Sequence, residues 1–156
     1  MSVYPPIEML IPHRPPMMLI NGVVGEVEEG LIATALPDPK AWYANEDGSM
    51  PAWIGIELMA QAISAWAGLQ AYKAGMPPRK GFLIGTREYM SKCPSFTAGN
   101  ALFIEVRKVF SDPQGLAAFN CLIRDDRTVF AEAVVKVINV DNYEAAMAPS
   151  GKSYEQ

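Results

Sequence analysis

Glu57 and Gln61 stand four residues apart inside MPAWIGIELMAQAISAWAGLQAY, residues 50–72, a run otherwise apolar or small almost throughout. On a helix that spacing puts both on one face, where the amide can hydrogen-bond the carboxylate and fix its rotamer. Apolar neighbours disfavour the charged form of such an acid, while a nearby helix N-terminus favours it. His13 is the sole histidine of the chain. With a reference pKa of about 6.5, an imidazole is the natural base for proton transfer near neutral pH, whereas Tyr43, at about 10 when unperturbed, would need strong activation to do that work. His13 therefore ranks ahead of Tyr43 as a base. Plainer readings stay open beside these: Glu57 as a buried acid paired with Arg87 or Arg107, His13 as a structural residue holding its own loop, Tyr43 as packing. Cys93 and Cys121 show neither metal-ligand spacing nor a disulfide framework, so no metal site is expected and both read as reduced, cytoplasmic core thiols.

The elements that must position these groups follow from patterning. PPIEMLIP, residues 5–12, has prolines at both ends and room for a single helical turn. MMLINGVVGEV and LIATALP read as a hairpin turning at Glu28-Glu29-Gly30, and residues 38–49 read as a loop rich in Pro, Asp, Asn and Gly. Ser49 is placed to cap the following helix, Pro51 suits its first turn, and Gly75 with Pro77 and Pro78 ends it. Ile54, Leu58, Ala62 and Trp66 make an i, i+4 row with no clear polar face opposite, which predicts a helix buried all round. Four strand-like runs follow: GFLIGTREYM, ALFIEVRKVF, LAAFNCLIRD and TVFAEAVVKVIN, with turns at SDPQG and DDR. Leu102, Ile104 and Val106 alternate to one side, as do Phe119, Cys121 and Ile123, and then Val129, Ala131, Ala133, Val135 and Val137. The economical architecture is α+β: a curved antiparallel sheet wrapped around one long central helix, in a single domain over 1–140 with a tail at 141–156.

The bulk composition bounds what such a domain can do. Thirteen basic against seventeen acidic residues give a net charge of −4, which supplies no general field for a polyanion, so no nucleic-acid partner is expected. The start MSVYPPIEML lacks a basic region ahead of an apolar run and does not read as a signal peptide. Residues 50–72 are long enough for a bilayer, but the central glutamate argues against a span, so no membrane partner is expected. Arg14, Arg79, Lys80, Arg87 and Lys92 flank the region before and after the helix, either as a docking patch for an acidic or phosphate-bearing partner or as scattered solvated charges.

Two stretches in this order, LIPHRPPMMLINGVV at residues 10–24 and MPAWIGIELMAQA at residues 50–62, resemble the β-hydroxyacyl-acyl carrier protein dehydratases of the hot dog fold. The first is similar to their entrance signature, a Leu-Pro-His-Arg run leading into the first strand. The second is similar to their Met-Pro-Gly helix start with Glu on the helix and Ala-Gln one turn later. Within that group the chain looks closest to the small dehydratase-like proteins found with aryl polyene biosynthesis. Two departures stand out. WYAN holds the place of the family's Gly-His-Phe-Pro loop, with Tyr43 where a histidine is expected, and Ala52 followed by Trp53 replaces the helix-start glycine.

The resemblance implies dehydration of a 3-hydroxyacyl thioester delivered on an acyl carrier protein to the trans-2-enoyl thioester, without a cofactor. It gives Glu57 as a catalytic residue and sets the entrance histidine beside the substrate tunnel without assigning it a role, so that His13 is the catalytic candidate for base by its imidazole. Tyr43, Met50, Pro51, Ala52, Trp53, Ile54 and Gln61 form the expected substrate-binding set. The thioester oxygen would meet the backbone amides of residues 52–54. It implies a dimer joined sheet edge to sheet edge, either a homodimer or a heterodimer with another hot dog subunit, with acyl tunnels along the interface. Because fold alone does not fix reaction type, two other functions remain on the same scaffold. One is a catalytically degenerate acyl-binding partner of an active dehydratase, and the other is a thioesterase.

Overall fold

The computed structural model describes residues 3–77 and 82–139. After a 3-10 turn at Ile7–Met9, the chain forms β1 (Gly22–Val27), β2 (Gly30–Ala35), β3 (Met50–Pro51), α1 (Ile54–Lys73), β4 (Phe82–Ser91), β5 (Ser95–Phe96), β6 (Leu102–Ser111), β7 (Leu116–Arg124) and β8 (Val129–Asn139). Six strands make one curved antiparallel sheet in the order β1-β2-β6-β7-β8-β4, and β3 pairs with β5 as a separate ribbon. Helix α1 lies against β2, β6, β7, β8 and β4, which is the α+β arrangement the patterning predicts.

The alternating residues are the ones that meet the helix. Leu102, Ile104, Val106, Phe119, Cys121, Ile123, Ala131, Ala133, Val135 and Val137 are all buried, while Val129 is half-buried at the strand's start. Facing them, Ile54, Leu58, Met59, Ile63 and Leu69 are at most 2% exposed. Removing side chains of this size from water stabilises the fold by about 1.5–3 kcal/mol apiece. The sheet therefore holds α1 mainly by apolar contact, and whatever sits on α1 inherits a rigid mount.

The helix departs from expectation at its start. Met50–Pro51 is extended and pairs with Ser95–Phe96, so the helix begins at Ile54 with Trp53 at the N-cap and no side-chain cap bond. Ser49 is not that cap: its hydroxyl lies 2.5 Å from an Asp47 carboxylate oxygen and accepts from Asn45 at 3.0 Å, inside the loop. At the other end Gly75, at φ +70, follows the C-cap Ala74, and the Met76 N–H returns to the Ala71 carbonyl, a left-handed termination that glycine favours. Burial all round is also not reached, because Ile56, Glu57 and Trp66 stay half-exposed.

Two features of the frame bear on the site. A Cβ at Gly68 would overlap the Leu10 carbonyl, so the segment before β1 lies in direct contact with α1. In β4 the register shifts between Arg87 and Met90, with Glu88 at φ +51, a bulge that turns Tyr89 onto the helix start, where a Cβ at Gly55 would strike its hydroxyl.

Candidate active site

The segment over residues 10–20 delivers His13. Leu10, Ile11 and Ile20 are buried in the core and anchor it at both ends. The Arg14 guanidinium donates to the carbonyls of Ile11 at 3.0 Å, His13 at 2.6 Å and Glu8 at 3.0 Å, and the Trp42 indole donates to Pro16 at 3.0 Å. A loop crossed by so many bonds holds one course, which matters because the histidine has no covalent tie to the helix it faces. Its Nε2 lies 3.6 Å from Glu57 Oε2, with 27% and 39% of the two side chains exposed. That is ion-pair reach, beyond a direct hydrogen bond.

Gln61 joins the two elements. It is fully buried, and its amide donates to Glu57 Oε2 at 2.9 Å and to the Met17 carbonyl at 2.7 Å. Its carbonyl oxygen accepts from the Leu19 N–H at 2.8 Å and the Ile20 N–H at 3.3 Å. Two backbone donors fix which way the amide points, so it can offer the carboxylate only a donor. When Glu57 carries a proton, that proton belongs on Oε1, the oxygen Gln61 does not occupy. The partner of Glu57 is thus the histidine and the amide. Arg107 pairs instead with Glu105, at 3.3 Å, and the side chain of Arg87 lies outside the described residues. Among the described residues the His13 Nδ1 is buried with no hydrogen-bond partner, so packing sets the ring's orientation.

The remaining members of the predicted set gather at the helix start or stay in the loop. The Ala52 N–H is taken by the Pro94 carbonyl at 2.9 Å, and the Ala52 carbonyl accepts from the Tyr89 hydroxyl at 2.5 Å and the Gly55 N–H at 2.9 Å. Of the amides at residues 52–54, only those of Trp53 and Ile54 are left without an acceptor among the described residues, as the first turn of a helix leaves them. Met50 is buried, Pro51 half-buried, and the Trp53 ring is 62% exposed. Tyr43 is buried and its hydroxyl accepts from the Asp38 N–H at 2.9 Å. Burial pushes its phenol above the ordinary value, against the pull of that bond, so its structural surroundings oppose use as a base. Arg14 is spent on its own loop, Lys92 is exposed, and Arg79 and Lys80 lie outside the described residues.

Tyr89 and Pro94 are the contributors that patterning does not mark. Both act at the helix start through a bulge and a two-residue ribbon, and neither leaves a periodic trace. Gly55 is the one signal: a glycine inside a helix pattern often records a close neighbour.

A curved antiparallel sheet around one long helix, with Glu57 on that helix facing His13 from the segment before β1, is the frame of a dehydratase-type protein of the hot dog fold. The ApeP-like family model, described as ApeP dehydratase, matches residues 5–148, and the chain belongs to that family. Among solved structures, a chain of the dehydratase heterocomplex ApeI:P from Xenorhabdus doucetiae is similar at TM-score 0.83 and 24% identity, over 92% of this chain and 96% of that one. A putative thioesterase from Shewanella oneidensis is similar at 0.57 and 16% identity, over 80% and 85%. The E. coli PaaI protein from the phenylacetic acid degradation operon is similar at 0.52 and 12%, over 76% and 82%. No curated protein matches the chain. Among the described residues, no helix is long and apolar enough to cross a membrane.

Proposed function

We propose that this protein dehydrates 3-hydroxyacyl thioesters carried on an acyl carrier protein to the trans-2-enoyl thioester. The observation that carries the reading is the 3.6 Å separation of His13 Nε2 and Glu57 Oε2 within one chain. His13 Nε2 takes the proton on the carbon next to the thioester carbonyl. That electron pair forms the carbon–carbon double bond, the C–O bond of the 3-hydroxyl breaks, and the hydroxyl leaves as water with the proton from Glu57 Oε1. Both groups reach the substrate from one side, which suits two bonds on adjacent carbons. Both side chains are partly exposed, so the imidazolium gives its proton to solvent and the carboxylate regains one from solvent on Oε1, which restores the pair. The thioester oxygen gains negative charge on the way and is received by the open amides at Trp53 and Ile54.

The same reading includes a second hot dog subunit. The two edges of the sheet differ in length: β1 has six residues, whereas β4 runs for ten with its outer edge unpaired among the described residues, and each strand carries one register shift. A long open edge invites strand pairing. The solved relative is a heterocomplex, and a heterodimer accords with Tyr43 holding the place of the usual loop histidine.

Purified protein, alone and with a co-expressed hot dog partner, is to be assayed for enoyl thioester formation from 3-hydroxyacyl-acyl carrier protein. Turnover that falls at least 100-fold in Glu57→Gln and in His13→Ala is expected, since a positioned acid or base contributes about 10²–10⁴-fold. Wild-type protein with no such turnover in either setting removes the reading, and release of free thiol would instead indicate hydrolysis.

A further inference from the structure

We propose that Tyr89 is a positioning residue that aims the Trp53 N–H at the substrate's thioester oxygen. The inference rests on the dehydratase reading and goes one step further into its electrostatics. Across a trans peptide the carbonyl and the N–H point in opposite directions, so whatever grips one sets the other. The Ala52–Trp53 peptide is gripped at its carbonyl by the Tyr89 hydroxyl at 2.5 Å and by the Gly55 N–H at 2.9 Å. One residue back, the Ala52 N–H is held by Pro94 at 2.9 Å. That bond withdraws the Ala52 amide from substrate and moves the receiving donor one residue on, to Trp53.

The geometry around the phenol favours this contact. The bulge in β4 brings Tyr89 inward, and position 55 has no Cβ because the hydroxyl fills that space. Burial raises the phenol to about 12, so it remains a donor throughout the range in which an imidazole base works. Among the described residues Tyr89 makes no hydrogen bond to His13 or Glu57 and acts through the Ala52–Trp53 peptide. Its effect therefore belongs to the step in which charge develops on oxygen, and it should appear in kcat more than in KM.

The test is a double-mutant cycle on the full-length protein, in whichever assembly is active. Tyr89→Phe removes only the hydroxyl. Trp53→Pro removes the N–H in question at a position whose φ of −65° proline accepts, and Trp53→Ala is its reference for the lost ring. Expected are a 10- to 100-fold lower kcat in Tyr89→Phe, a KM within about twofold, and a comparable or larger drop in Trp53→Pro relative to Trp53→Ala. The decisive arm is Tyr89→Phe placed on Trp53→Pro, where it should cost nothing further. A Tyr89→Phe enzyme with wild-type kcat, or one whose loss persists unchanged on the Trp53→Pro background, overturns the inference while leaving the dehydratase reading intact. A wild-type protein that turns over no substrate removes that reading. The Trp53 amide resonance of ¹⁵N-labelled protein titrated with an enoyl-pantetheine thioester then decides the inference by itself. A shift in wild type that shrinks in Tyr89→Phe supports it, and equal shifts or none sink it.

Discussion

Gln61 is the residue on which the site's geometry depends most directly. Replacement by leucine keeps its volume but leaves the Leu19 and Ile20 N–H groups and the Met17 carbonyl without their partner. Leaving a buried polar group unmatched costs about 1–3 kcal/mol, so Gln61→Leu should lower unfolding stability by about 2–4 kcal/mol in a urea titration, with kcat falling as Glu57 loses its fixed rotamer. The sequence made half of this arrangement legible. Glu57 and Gln61 share a helix face by spacing alone, and the structure joins them at 2.9 Å. The other half was not, because the Leu19 and Ile20 donors lie more than forty residues away and backbone groups carry no residue-type signature. His13 was legible as chemistry and as part of an entrance motif, while its approach to Glu57 depends on how a loop folds back, which no local pattern encodes.

At the scale of elements, α1 works as a mount because the segment before β1 is pressed against it. Gly68 is where the two backbones meet. Alanine is the better helix former by about 1 kcal/mol, yet a methyl group there overlaps the Leu10 carbonyl, and overpacking of this kind costs about 1–3 kcal/mol. The clash should win: Gly68→Ala should melt at a lower temperature than wild type and, by shifting the segment that carries His13, lose activity beyond what its stability explains. A rise in melting temperature would show that the two elements are looser than their contact implies. Strands β6, β7 and β8 were readable from alternation because each has one face on the helix. The helix start is not legible from patterning because β3 and β5 are two residues long. Proline followed by small and aromatic residues suits a first helical turn as well as it suits a ribbon end.

For the whole molecule, the core that the sheet and helix enclose includes a thiol. Cys121 is 4% exposed, and burial raises it from 9.0 to about 12. Between those values the unfolded chain sheds the thiol proton while the folded chain keeps it. Stability therefore declines as pH rises across that window, by up to about 1.4 kcal/mol per pH unit from this group. Tyr89, raised to about 12 from 10.0, adds a decline of the same sign over the upper part of the range. Cys121→Ala should show a shallower alkaline slope in stability measured between pH 9 and 11, and an unchanged slope would mean that the thiol is not the group that titrates. The fold class was legible because one long apolar helix followed by four strand-like runs admits few layer arrangements. The open length of β4 was not, since pairing order is a property of the sheet and not of any strand. The four bonds of Gln61 carry a last consequence for anyone who would transplant this chemistry. MPAWIGIELMAQA moved onto a foreign helix would bring the acid and its amide, but neither the imidazole nor the backbone donors that stop the amide from swivelling. Released, the amide could turn its carbonyl to the carboxylate and repel it. The motif names the site, yet only the whole domain assembles it, and a graft would have to import residues 10–20 with it.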